Sequence, residues 1–131
     1  MLKDFVKAEK PQDEELKQRI REAGEKLVAQ QNQIKEHKIP VLVLMEGWGT
    51  AGKGSLIGEV IKYLDPRFFK VAAMNVPTEE EKRKPFLYRY FQKIPEAGKF
   101  MFLDTGWMDE ITRQRLNGEM DDKVYEQRPQ F

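Results

Sequence analysis

The sequence predicts an α/β fold, a parallel sheet flanked by helices, and three observations carry that expectation. A short apolar run without alternation, Val41-Leu42-Val43-Leu44-Met45, has the pattern of a strand covered on both faces. Directly behind it stands a glycine-rich segment that opens a helical pattern. Strand-like and helix-like stretches then alternate to residue 116, the order of a layered sheet with right-handed crossovers.

Taken in order, residues 11–38 come first, with Leu16, Ile20, Ala23, Leu27, Val28 and Ile34 at helical spacing among charged and Gln positions and Asp13 placed as a starting cap. They predict an amphipathic lead-in, so residues 1–39 are set apart from a core at residues 40–131. The single histidine, His37, ends this helix and is given no chemistry. After the strand at 41–45 a helix runs from about 52 to 64 and stops before Pro66. A second strand is expected at 70–76, a charged helix or lid at 79–93, and a third strand at 99–104. A helix over 107–116 is broken by Asn117-Gly118, and 125–131 carries no clear element. Three strands, where an open α/β sheet averages five or six, predict a partial sheet.

Composition narrows the function. Against 23 Lys and Arg stand 22 Asp and Glu, a net charge of +1, so bulk charge draws no polyanion and no nucleic acid. Any anion must be held by a local cluster of cations and backbone N–H donors. With no cysteine, disulfide scaffolds, thiolate metal sites and cysteine nucleophiles are excluded. The longest apolar run is five residues, far short of the roughly 20 that a membrane helix needs, and no signal segment opens the chain. The expectation is a cytoplasmic protein with no membrane partner.

The chemistry is concentrated in Gly47-Trp48-Gly49-Thr50-Ala51-Gly52-Lys53-Gly54-Ser55, the spacing of a Walker A loop. Glycines let the backbone curl so that successive N–H groups of Gly47, Gly49, Thr50, Ala51, Gly52, Lys53, Gly54 and Ser55 can point at phosphate oxygens. The following helix adds its partly positive end. Lys53 supplies a mobile charge that can follow the transferred phosphoryl group. The residue after Lys53 is Gly54, so the hydroxyl arrives one place later, and Ser55 is the candidate magnesium or phosphate contact. Asp104 ends the third apolar run, where doubly wound sheets gather their ligands, and is the candidate holder of Mg²⁺; a helix cap is its other reading. Between the two lies a basic stretch from Lys82 to Lys93, in which Arg89 and Lys93 stack at i, i+4 and form the better candidate for a face that meets phosphate.

Taken together, Glu46-Gly47, the loop through Lys53-Gly54, Pro77-Thr78 with Glu81 and Arg89, Pro95 with Gly98, and Asp104 with Trp107 resemble the polyphosphate kinase 2 family over residues 40–108. The resemblance implies a partial P-loop kinase core in which Mg²⁺-dependent phosphoryl transfer runs between inorganic polyphosphate and a nucleoside mono- or diphosphate. Lys53, Asp104 and Arg89 would be its catalytic residues, Asp104 and Ser55 would face the metal, and residues 77–98 would be a lid. It also implies a homo-oligomer or a tandem-domain partner. Two positions depart from the family pattern. Gly49 stands where an aspartate is usual, and Thr105-Gly106-Trp107-Met108 stands where Arg-Ser-Trp-Tyr is usual. Phosphoryl transfer rests on positioning and electrostatics, so a missing charged group costs orders of magnitude in rate. A catalytically degenerate, polyphosphate-binding or structural domain of a tandem kinase is therefore the second reading, and an ATP-dependent small nucleotide kinase the third.

Overall fold

The computed structural model of the chain describes residues 13–127. In chain order these form α1 (Asp13–Glu36), β1 (Val41–Met45), α2 (Lys53–Ile61), a 3-10 turn (Pro66–Phe68), β2 (Phe69–Ala73), α3 (Glu79–Lys82), α4 (Tyr88–Phe91), β3 (Phe100–Asp104), α5 (Trp107–Leu116) and α6 (Asp122–Glu126). The three strands are parallel in the order β1-β3-β2, so the last strand in sequence is the middle one in space. The α/β class with a parallel sheet and flanking helices holds. The expected helix start at residue 11 and the tail from 128 to 131 lie outside the described residues.

The core forms where Ile57 and Leu64 from the α2 region meet Phe100 and Phe102 of β3, with Val41, Val43 and Met45 of β1 packed against them. Alternate residues of a strand share one face, which is why 41, 43 and 45 act together. Phe100 and Phe102 lie stacked at 5.8 Å, and Phe69 of β2 meets Phe102 edge-on at 6.4 Å. The expectation that the 41–45 run is covered on both faces is corrected. Every residue of β1 is half-buried, because among the described residues it pairs along one edge only. The most deeply covered strand is β3, with Phe100, Phe102 and Leu103 buried and Met101 and Asp104 half-buried.

The lead-in helix is used unevenly. Leu27 and Ile34 reach the core, and Gly24 and Gln31 are buried beside them, whereas Leu16, Ile20 and Val28 remain exposed. A side chain at position 24 would collide with the Tyr63 ring, so the glycine sets how closely α1 lies on the α2 region. Gln31 ties the same region, donating to the Asp65 carbonyl at 3.2 Å and accepting from the Asp65 N–H at 2.9 Å. Two other expectations shift. The strand foreseen at 70–76 ends at Ala73, and the helix foreseen at 79–93 is two single turns around Pro85, which cannot continue an α-helix. Helix α6 was not foreseen, although its cap, Asp121 accepting from the Val124 N–H at 2.8 Å, is a legible signal.

Candidate phosphate-binding site

Parallel register aligns Met45, Asp104 and Ala73 at the same level, so the chain leaves all three strands at one edge of the sheet. That edge, at the carboxyl ends of the strands, is where open α/β folds place ligands. β1 runs into the glycine-rich loop, β3 ends on Asp104, and β2 leads into residues 77–98.

Glycine is required at two points of the loop. Gly47 has φ +151° and Gly52 φ +89°, and the second is the N-cap of α2. Gly52 offers no side chain to cap the helix, so the first N–H groups of α2 have no side-chain acceptor. The Ala51 N–H donates to the Trp48 carbonyl at 2.9 Å and closes the turn. Lys53 folds back over it, its Nζ donating to the carbonyls of Gly47 at 2.5 Å and Trp48 at 3.4 Å. Gly49 and Thr50 are exposed, and nothing lies within 4 Å of where a Cβ at position 49 would stand. An ammonium, a curled backbone and an uncapped helix end thus share seven residues, Gly47 to Lys53, which is the chemistry of an anion seat.

Asp104 and Gly54 are brought together: a Cβ on Gly54 would lie 3.4 Å from Asp104 Oδ2. The position after Lys53 is therefore the one that faces the carboxylate. Ser55, one residue or about 100° further round α2, is exposed. Beyond Asp104 the backbone turns through Thr105 at φ +106°, a region that a β-branched residue rarely adopts. Such strain clusters at functional sites, and here it adjoins the carboxylate set against the loop's helix.

Sequence reasoning missed what Glu46 does. Helix α5 has no side-chain cap of its own, and the Glu46 carboxylate accepts from the N–H groups of Met108 at 3.3 Å and Asp109 at 3.1 Å. A negative group at a helix N-terminus is favoured by the dipole, so Glu46 clasps the end of β1 to the start of α5. Gly106 makes this possible, since a Cβ there would overlap Glu46 Oε1. A cap delivered from sixty residues away has no local sequence signature.

Arg89 lies elsewhere at the same edge. It is 7% exposed, its Nη2 donates to the Asn75 carbonyl, and its other nitrogens stand 3.6 Å from Glu110 and 3.9 Å from Glu81. Nε and Nη1 make no hydrogen bond. Next to it Tyr90, 1% exposed, donates to Glu110 Oε2 at 2.5 Å and packs edge-on against Trp107 at 5.8 Å. Burial, with the Glu110 hydrogen bond behind it, pushes the Tyr90 hydroxyl far above the ordinary tyrosine range. A cavity of about 590 Å³ opens here, with Arg89, Lys82, Lys84 and Arg113 facing Glu81 and Glu110. Lys93 follows the end of α4, so the expected stacking of Arg89 on Lys93 along one continuous helix does not form.

The comparisons with known proteins agree with this layout. The family model "Polyphosphate kinase 2" matches residues 10–130. The chain is 36% identical over 105 residues to NDP-polyphosphate phosphotransferase 3 of Ruegeria pomeroyi, covering 80% of this chain and 34% of that protein. It is 34% identical over 85 residues to the polyphosphate:AMP phosphotransferase of Pseudomonas syringae, covering 65% of this chain and 17% of that one. The crystal structure of polyphosphate kinase 2 from Arthrobacter aurescens TC1 superposes with a TM-score of 0.74 at 28% identity, over 82% of this chain and 40% of that chain. The chain thus spans about a third or less of the curated relatives it matches. By the extent of the family match, with a strand–loop–helix corner and an edge aspartate in the expected places, the chain belongs to the polyphosphate kinase 2 family.

Proposed function

We propose that this domain binds a phosphate chain in the loop at residues 47–55 and takes part in phosphoryl transfer between inorganic polyphosphate and a nucleoside mono- or diphosphate. One observation carries the reading: Lys53 and the uncapped start of α2 stand beside Asp104, which approaches Gly54. A phosphate entering the loop would replace the Gly47 and Trp48 carbonyls as the partner of the Lys53 ammonium, and the N–H groups of the Walker A turn would take its oxygens. Relatives named for phosphotransfer between polyphosphate and AMP or NDP support the substrate class.

Among the described residues no three His, Cys, Asp or Glu side chains converge as a metal cage. Mg²⁺ in phosphoryl-transfer sites uses one or two carboxylates and completes its shell with water and substrate phosphates, so a lone Asp104 beside the loop fits it. Asp104 would hold the ion, and Ser55, about 100° further round α2 from the position that faces Asp104, would serve as a phosphate contact. When bound, Mg²⁺ would neutralise charge on the phosphates. Arg89, buried between Glu81 and Glu110, would act by holding the lid at residues 77–98 in place. Cytoplasmic action and a homo-oligomeric or tandem-domain partner complete the proposal. No helix among the described residues is long and apolar enough to cross a membrane.

Incubation of the protein with polyphosphate, Mg²⁺ and AMP, ADP or GDP should yield the nucleotide one phosphate longer, and chelation of the metal should stop it. Binding of both substrates with no product would instead establish the degenerate, polyphosphate-binding reading. Transfer from ATP alone would establish the third.

A further inference from the structure

Trp48 stands inside the loop and is 76% exposed, the most exposed large apolar side chain among the described residues. It forms one wall of a cleft of about 180 Å³ whose other wall is the first turns of α5, Met108, Asp109 and Thr112. Three features give this cleft a chemistry. The indole presents a flat, open π-face, and Met108 adds a polarizable thioether beside it. The Asp109 carboxylate makes no hydrogen bond or ion pair with any described residue, while its backbone N–H is taken by Glu46. The Lys53 ammonium reaches the Trp48 carbonyl at 3.4 Å, so the cationic and aromatic groups belong to one short turn.

We infer that the Trp48 cleft is the platform for the nucleobase of the acceptor nucleotide, with Trp48 stacking on the ring and Asp109 accepting from an exocyclic amine. This inference rests on the proposed phosphate role of the loop and names the part of the substrate that the loop alone does not hold. A pocket that encloses a whole drug-sized ligand occupies roughly 300–1,000 Å³, so a cleft of this size takes one ring system and leaves sugar and phosphates outside. Those phosphates then extend toward Lys53. Stacking on an aromatic face is tolerant of base identity, so the free carboxylate is the element that discriminates, favouring bases that carry an amine over those that do not.

The chain contains two tryptophans, and Trp107 is packed against Tyr90, so fluorescence of the Trp107→Phe protein reports on Trp48 alone. Titration with GDP or ADP should quench that emission, whereas saturating tripolyphosphate, which has no base, should change it far less. In the otherwise unaltered protein, Trp48→Ala should weaken GDP binding about tenfold or more, the usual loss for one stacked base, and leave tripolyphosphate affinity within about twofold. Asp109→Ala, which removes the acceptor, should erase any preference for GDP over inosine diphosphate, which lacks the exocyclic amine. If tripolyphosphate binds normally and Trp48→Ala leaves GDP affinity unchanged, or if emission ignores saturating nucleotide, the platform is overturned while the phosphate role of the loop stands. If tripolyphosphate does not bind at all, the phosphate role falls and the platform falls with it.

Discussion

At the loop corner the polar groups face outward and lack fixed partners: an uncapped helix end, an exposed turn, and an ammonium resting on its own backbone at 2.5 Å. At the corner where residues 77–98 meet α5 the polar groups face inward, with Arg89, Tyr90 and Glu110 all buried and in contact. Groups of the first kind are open to a ligand in the proposed reading and contribute little to the fold. Groups of the second kind cannot be removed singly, because each leaves another buried without its counter-group. Substitutions at the two corners should therefore separate ligand affinity from stability.

The largest effect is expected at Glu110. It accepts from Tyr90 and from Gln114 at 2.9 Å and stands 3.6 Å from the Arg89 guanidinium. Glu110→Ala leaves the buried Arg89 with only Glu81, at 3.9 Å, as counter-charge, a loss of about 3–5 kcal/mol for a buried pair of this kind. In a chain of this length that lowers the melting temperature by about 10 °C or more. Glu110→Gln, which keeps hydrogen-bonding capacity and removes charge, should fall between it and the parent. A melting temperature unchanged by Glu110→Ala would show that the two corners do not differ as described.

Lys53→Ala should do the reverse. A charge-assisted contact is among the strong ones, about 1.5–3 kcal/mol, so tripolyphosphate affinity measured by calorimetry should fall roughly 10- to 100-fold. Thermal stability should barely move, since the bonds lost are to carbonyls of an exposed turn. An equal loss of stability would mean that Lys53 is a strut of the loop rather than its ligand group.

The two corners also differ in how far the chain disclosed them. The loop is local: glycines, lysine and hydroxyl lie within nine residues, and both the strand before and the helix after were foreseen where they are found. Asp104 was legible because it ends an apolar run. Arg89 was visible as a basic position in a charged stretch, but nothing local showed that it is buried, because Glu110 and Asn75 meet it only through the fold. The same holds for Glu46, whose partners follow it by more than sixty residues. Strand burial was misjudged for a related reason: the strands at 41–45 and 100–104 are equal in length and both largely apolar, and which of them lies in the middle of the sheet is not written in either run.

A smaller effect tests the clasp between the corners. Gly106→Ala should push the Glu46 carboxylate off the start of α5, costing about 0.5–2 kcal/mol as other lost caps do. Glu46→Ala should cost a similar amount, and the double substitution should cost little more than either, because both remove one interaction. Additive losses in denaturant melts would show that Gly106 is needed for some other reason.

The smallest effect concerns acid. Glu81 closes the capping box of α3, its carboxylate accepting from the Thr78 N–H at 2.9 Å while its own N–H donates to Thr78 Oγ1. That backbone hydrogen bond, with Arg89 nearby adding to it, holds the Glu81 carboxyl below its usual 4.5. A carboxyl depressed in the folded state binds its proton more readily once unfolded. Its contribution is therefore fully present above the unfolded value of about 4.5 and is lost as pH falls through the lower folded value. The group is half-buried and still reached by solvent, so salt will weaken the effect further. Melting curves of the parent and Glu81→Gln should differ slightly at neutral pH, and the gap should close on acidification below pH 4.5. Tripolyphosphate affinity at neutral pH should be the same for both proteins. A gap that persists unchanged in acid would remove Glu81 from the inward-facing corner and leave Glu110 as the one carboxylate that holds Arg89.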